Sequence, residues 1–467
     1  MNHQPARSAA TFPHPSRRDV LRLLGLSAAG VGAGAWLDLD RTARAAFRSQ
    51  AAPPAGYKAL VCVFLEGGND SHNLLVPRSA SEYSQYAAGR TSLALPLEQL
   101  LPIDPVTSDG IDYGLAPQLT GVQNLFGEGK LAVLRNVGSL VEPATKAQLE
   151  EGSVALPPQL FSHKDQRNYW QTALPDPGGK VGWGGRMSDL VAASNAVPAL
   201  TNVSVAGSNL LQVGNQSSFY AMGPEGPSEL NGFIGEIGPI RKLAFETLLA
   251  TPSDSPLARA YADLQIEAAE IESLLSQAFG GVPELVTQFP GSVLGRQLRR
   301  IALSIAASGS LGLERQLFFA RKSGFDNHSD LIQSYPGLLA DLDASLLAFQ
   351  RAMEELGLED EVVLFTASDF GRSLSSNGQG SDHGWGGHGL VMGAPVNGAE
   401  LYGRMPELAL DGPDDVGAGR LIPTTSIDEV GATLASWYGV APADLSTVFP
   451  NLSNFASSDL GFLKSLS

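Results

Sequence analysis

Five histidines share one kind of neighbourhood in this chain: His72, His163, His328, His383 and His388 each lie within a few residues of an aspartate, in a turn rich in Gly or Ser. The contexts are Gly68-Asn69-Asp70-Ser71-His72, Phe161-Ser162-His163-Lys164-Asp165, Gly324-Phe325-Asp326-Asn327-His328 and Ser381-Asp382-His383-Gly384-Trp385-Gly386-Gly387-His388. A related segment without histidine, Ser368-Asp369-Phe370-Gly371-Arg372, joins them. Carboxylates and imidazoles are the ligands that borderline divalent metals take. Metals held this way clamp the oxygens of a phosphate or sulfate ester. An arginine such as Arg372 can add a two-pronged contact to the same anion. Any one of these aspartates alone reads as a helix cap or turn former. Taken together they point to one site. The expected cofactor is a divalent metal: zinc, manganese or calcium.

Such a site needs elements to carry it. Ala59 to Leu65 is a short apolar run that stops at Glu66-Gly67-Gly68, which reads as a buried strand followed by a turn. Leu131 to Val137 and Glu361 to Thr366 read the same way, Pro198 to Val205 more weakly, and Gly389 to Gly393 as a short fifth strand. Helical spacing appears over Pro256 to Phe279 and over Pro336 to Leu356. Ser426-Ile-Asp-Glu429 is a capping box that opens a helix running through Tyr438. Strands alternating with helices predict an α/β fold of three layers, a central and mostly parallel sheet with helices on both faces. Residues 46–467 are expected to form one such domain. Asp70 and Asp369 both follow strand runs, and ligands in open α/β sheets collect beyond the carboxyl ends of strands.

The first 45 residues read as an address. Ser16-Arg17-Arg18-Asp19-Val20-Leu21 resembles the twin-arginine export signature, an apolar stretch runs from Leu23 to Leu37, and Ala43-Arg44-Ala45 is a cleavage site. The stretch is shorter than the roughly 20 residues that span a bilayer. Stable membrane insertion is therefore not expected, and the destination is the periplasm or the exterior, by way of the twin-arginine machinery. The whole chain carries a net charge of −17. Removing residues 1–45 takes six Arg and three Asp, which leaves 25 basic and 45 acidic residues, a net of −20. That balance excludes the basic footprint of a nucleic-acid binder. The one cysteine, Cys62, excludes a disulfide scaffold and a Cys-rich metal site.

Four segments carry a family resemblance: VCVFLEGGNDSHNLLVP (61–77), FSHKDQRNYWQTA (161–173), GFDNHSD (324–330) and FTASDFGRSLSSNGQGSDHGWGGHGLVMG (365–393). Through them the mature chain resembles the twin-arginine-exported bacterial family DUF1501, which looks like a distant branch of the alkaline phosphatase and sulfatase superfamily. The resemblance implies an alkaline phosphatase-like fold and a set of roles. Asp70 matches the first-strand metal ligand. Asp326 and His328 resemble the pair that binds the other metal, with one residue between them instead of three. Asp369 resembles the Asp of a late Asp-His motif in which Phe370 replaces the histidine, so that His383 or His388 supplies the imidazole. Ser162 lies near the place of the nucleophilic Ser or Thr. The absence of a Cys-x-Pro-x-Arg sequence argues against a formylglycine sulfatase.

The expected function is metal-dependent hydrolysis of phosphate or sulfate esters, with a small anionic ester as substrate. Ser162 or a bound water attacks, His163 orients or protonates the leaving group, and Arg372 stabilises the transferred group. The alternative is a non-catalytic exported binding or assembly protein that keeps the fold.

Overall fold

The computed structural model describes residues 56–176, 178–227 and 237–464. The expected export signal, residues 1–45, lies outside them. Central strand β1 (Lys58–Glu66) is KALVCVFLE, a run with no polar interruption after Lys58 until Glu66. Both of its faces are buried. Ala59, Val61, Val63 and Leu65 enter one apolar cluster, and Leu60, Cys62 and Phe64 enter another. That alternation places a core on each side of the sheet, since successive side chains of a strand point to opposite faces.

The remaining strands are β2 (Leu75–Pro77), β3 (Leu101–Ile103), β4 (Tyr113–Leu115), β5 (Leu131–Gly138), β6 (Asn202–Ser204), β7 (Tyr220–Ala221), β8 (Arg315–Ser323), β9 (Val362–Ser368), β10 (Arg372–Ser376), β11 (Ser381–His383), β12 (Gly387–Met392), β13 (Leu401–Tyr402) and β14 (Thr425–Ser426). The main sheet runs β13-β5-β12-β9-β1-β8-β6-β7, with β14 beside β5. Its pairings are parallel except around β12, which is antiparallel to both β5 and β9. The architecture is thus a mixed, mostly parallel sheet flanked by helices, as the alternating pattern predicts. β2, β4 and β3 form a small separate sheet, and β10 pairs with β11.

The helices include α1 (Ala80–Arg90), α2 (Thr120–Gly127), α3 (Lys146–Glu151), α4 (His163–Thr172), α5 (Trp183–Val191), α6 (Gly238–Leu249), α7 (Pro256–Gly280), α8 (Val293–Ala306), α9 (Leu331–Leu356), α10 (Ile427–Tyr438) and α11 (Leu445–Val448). Val122 and Leu125 of α2, Leu298 and Ile301 of α8 and Leu339 and Leu342 of α9 join the first cluster. Tyr169 and Trp170 of α4, Trp183 and Met187 of α5 and Val430 and Leu434 of α10 join the second. Among the described residues, no helix is long and apolar enough to cross a membrane.

Three elements differ from the sequence reading. β8, adjacent to β1, is not anticipated, because Arg315, Gln316, Arg321 and Lys322 bracket a short apolar stretch. Gln316 is buried with its amide oxygen accepting from Tyr57 Oη at 2.7 Å, a satisfaction that pattern alone does not reveal. Pro198–Leu200 is a 3₁₀ turn, and the weak third strand shrinks to β6. Helix α9 begins five residues before Pro336, which sits inside it. The extra turn is held by burial of Leu331 and Tyr335, four residues apart on one face.

The capping box of α10 forms as expected, with Glu429 accepting from the Ser426 backbone N–H at 3.0 Å and Ser426 Oγ accepting from Asp428 N at 3.0 Å. The Asp428 side chain in that first turn is buried, which pushes its carboxyl up to about 7. A carboxyl raised on folding contributes stability below its unfolded value, about pH 4, that is lost as pH rises through the folded value. Asp428→Asn is therefore expected to be neutral near pH 3.5 and increasingly stabilising from about pH 4 to about pH 7, then level. Thermal melting across that range checks this, and a pH-independent difference between the two proteins sinks it.

Candidate metal centre

Strands β1, β8 and β9 are adjacent and parallel, with Glu66 paired to Ser323 and Leu65 to Ser368. Their carboxyl ends therefore lie side by side. The turns that follow deliver Asp70, then Asp326 and His328, then Asp369. The close approach of these turns requires glycine at Gly68, which has φ +86°, and where a Cβ would come within 2.4 Å of the Phe370 ring.

Asp326 is the hub. Its Oδ1 lies 3.1 Å from His328 Nε2 and 3.4 Å from His383 Nε2, and its Oδ2 lies 3.3 Å from His163 Nε2. His163, Asp326 and His383 offer ligand atoms all within 4.8 Å of one another. His328 Nε2 is 2.9 Å from His383 Nε2. Behind each ring sits an acceptor. His163 Nδ1 meets Asp369 Oδ2 at 2.7 Å, His328 Nδ1 meets Asp382 Oδ1 at 3.2 Å, and His383 Nδ1 meets the Phe161 carbonyl at 2.6 Å. A carboxylate or carbonyl can only accept, so each Nδ1 carries a proton, and in the neutral ring each Nε2 presents a lone pair. His163 Nε2 is buried with no hydrogen-bond partner.

Three lone pairs and a carboxylate facing one another repel unless positive charge sits among them. A proton shared between His328 and His383 would answer one of these contacts; a divalent cation answers all of them. An imidazole backed by a carboxylate or carbonyl is also the usual way a metal-binding His is oriented. The donor set thus fits a metal held by His163, Asp326, His328 and His383. The hydrogen bond that His163 donates to Asp369, and then the Asp369 charge, push the His163 imidazole above its ordinary value, whereas burial pulls His383 below. Asp326 sits below the usual carboxylate range: burial opposes this, but Arg372 and the surrounding imidazoles prevail.

Other residues singled out in the sequence take different places. Asp70 is fully buried and its carboxylate is paired with Arg90, so the structure does not bring it to the group. His388 is buried, its Nδ1 accepting from Asn136 N–H at 3.0 Å, and its ring packs edge-on to His72 at 6.1 Å. Asp369 touches the group through His163. Arg372 is fully buried, and its guanidinium donates to Asp326 Oδ1 at 2.7 Å, Gly67 O at 3.3 Å, Ser381 Oγ at 3.3 Å and Ser381 O. It braces Asp326 and faces protein acceptors. Phe370 packs against His163 and His383, ring centroids 4.9 and 4.7 Å away. Ser162 is the residue before α4, and its Oγ donates to Asp165 Oδ2 at 2.7 Å. Preceding it, Phe161 holds φ +72°, a conformation costly for a non-glycine residue and typical of functional turns.

Two contributors had no role assigned from sequence. Asp382, noted there only as the neighbour of His383, is the acceptor for His328. The Phe161 carbonyl left no signal, because any residue carries one.

Residues 299–429 match the family "Protein of unknown function (DUF1501)". That DUF1501 segment holds Asp326, His328, Asp369 and His383 and the motifs at 324–330 and 365–393; His163 and the motifs at 61–77 and 161–173 lie outside it. No curated protein matches the chain. Among solved structures, it is similar to the PsFucS1 sulfatase from Pseudoalteromonas sp., with 11% identity, TM-score 0.38, and coverage of 92% of this chain and 74% of that one. It is also similar to the lipoteichoic acid synthase LtaP from Listeria monocytogenes, with 10% identity, TM-score 0.35, and coverage of 88% and 81%. A third is the C-terminal periplasmic domain of EcEptC from Escherichia coli, in complex with Zn, with 12% identity, TM-score 0.31, and 83% of each chain covered.

Proposed function

We propose that the chain is an exported metal-dependent hydrolase of phosphate or sulfate esters. One observation carries the reading: three imidazoles, each with its tautomer set from behind, turn their Nε2 lone pairs toward the carboxylate of Asp326. His163, Asp326, His328 and His383 would hold the metal. Three nitrogen ligands and one carboxylate suit zinc or manganese; calcium prefers an all-oxygen shell. Bound there, the metal supplies Lewis-acid polarisation of an ester oxygen and eases deprotonation of a nearby hydroxyl or water.

The chain's own residues do the rest. Ser162 Oγ already donates to Asp165, which takes that proton as the oxygen bonds phosphorus or sulfur and the ester P–O or S–O bond breaks, the departing oxygen picking up a proton from Asp165 or solvent. Helix α4 starts at the next residue, so its N-terminal amides favour an anionic group there. Arg167, two residues beyond Asp165, pairs with Glu66 at 2.7 Å and keeps about a third of its side chain exposed (34%), which leaves it a contact for substrate oxygens. Arg372 keeps Asp326 in place. The resemblance of residues 1–45 to a twin-arginine signal carries the export part of the proposal.

The test is elemental analysis of the folded mature protein together with turnover of aryl phosphate and aryl sulfate. Ser162→Ala is expected to lose turnover with metal content unchanged, and Asp165→Asn to lose about a hundredfold in rate. Absence of both metal and turnover in the native protein overturns the reading. The second reading, a non-catalytic exported binding or assembly protein, is favoured by Arg372, whose guanidinium faces protein acceptors and offers substrate nothing. It predicts a metal-loaded protein whose turnover of either ester is absent.

A further inference from the structure

Asn69, Asp369 and His388 line one partly enclosed chamber of about 40 Å³, walled by Leu65, Leu134 and Trp170 among others. Each presents a buried polar atom with no hydrogen-bond partner: Asn69 Nδ2, Asp369 Oδ1 and His388 Nε2. Their hydrogen-bonding roles can be assigned. His388 Nδ1 accepts from the Asn136 N–H, so the neutral ring carries its proton on Nε2. Burial lowers this imidazole to about 3, which keeps it neutral at working pH. Asn69 Oδ1 accepts from Tyr335 Oη at 2.8 Å, which leaves its amide NH₂ as a donor. Two donors and one acceptor thus share the chamber. An anion there would meet the Asp369 carboxylate, and a cation would meet two N–H groups. Water suits both: it needs two to four polar partners and roughly 10–15 Å³.

We propose that His388 is a positioning residue for the metal centre, acting through a water that bridges its Nε2–H to Asp369 Oδ1. The other oxygen of Asp369 takes the Nδ1 proton of His163 at 2.7 Å. The bridge stops the carboxylate from rotating, and so fixes the direction in which His163 aims its Nε2 at Asp326. This inference rests on the ligand assignment under Proposed function for its consequence, though the bridge itself does not.

Two experiments decide it. A crystal structure of the native chain at atomic resolution should show a water within hydrogen-bonding distance of His388 Nε2 and Asp369 Oδ1. Its absence overturns the bridge, with or without metal. Zinc titration of the full-length variants reads the consequence. His388→Leu is expected to weaken binding about three- to tenfold, less than the 10- to 100-fold of a group touching the ligand directly, and His388→Gln, which keeps a donor, to stay within about twofold of native. Equal losses in the two variants would mark a purely structural role and overturn the proposal. In an Asp369→Asn background His388→Leu should add no further loss; an undiminished loss there also overturns it. Failure of the native protein to bind zinc or manganese instead sinks the proposed function, while the crystallographic arm still decides the bridge.

Discussion

Asp326→Ala is expected to weaken zinc binding more than about a hundredfold, beyond the 10- to 100-fold seen when a residue behind a ligand is changed. The reason is geometric. Asp326 lies within 3.4 Å of all three Nε2 atoms, so its loss removes both a ligand and the negative charge that balances the cation. The carboxylate is about half exposed (47%), so the variant should fold. Native protein with metal at a hundred times its dissociation constant gains about 2.7 kcal/mol of stability, and Asp326→Ala should gain none. Asp382→Asn should lie between the two, because its oxygen orients His328 and does not itself face the group. Titration calorimetry and thermal melting with and without zinc make the comparison. Undiminished binding in Asp326→Ala would falsify the assignment.

The largest effect on stability is expected at Arg90. Arg90 and Asp70 are an ion pair with both side chains wholly buried. Arg90 also donates to Ser373 O at 3.2 Å, tying α1 to β10. Truncating one member of a buried pair leaves the other charged and unsolvated, at a cost of about 3–5 kcal/mol. Arg90→Met should show that loss at pH 8, and Asp70→Asn combined with it should recover most of it. The sign of the pH dependence follows from Asp70, whose carboxyl is raised by burial against the opposing pull of Arg90. A raised carboxyl contributes stability below its unfolded value, about pH 4, that is lost as pH rises. Without Arg90 that loss grows, so Arg90→Met should be closer to native in acid than at pH 8. Denaturant unfolding at both pH values measures this; a cost under about 1 kcal/mol at pH 8 would show that the pair is not what holds this corner.

Much of the sheet was legible because its strands are buried on both faces and read as unbroken apolar runs, as in β1 and β9. The same logic hid β8, whose Gln316, Arg321 and Lys322 find partners only once the chain is folded: Tyr57 for the first, Glu66 for the second, Asp341 for the third. It also hid the antiparallel sense of β12, since direction leaves no mark on composition.

By itself, the sequence determined which residue types are available: aspartates beside histidines in glycine-rich turns, at the ends of apolar strands, in an acidic chain with one cysteine. The tertiary structure decided their partners. Asp70 and Asp326 look alike in sequence, each two residues after a glycine and two residues from a histidine. Folding buries Asp70 against Arg90 and leaves Asp326 half exposed among three imidazoles. It also turns His163 into a neighbour of Asp326, and Arg372 inward to hold it. The physical reason is that each choice depends on what stands opposite within a few ångströms. Arg90 comes from 20 residues away for Asp70; for Asp326, beyond its near neighbour His328, Arg372 comes from 46 residues away, His383 from 57 and His163 from 163.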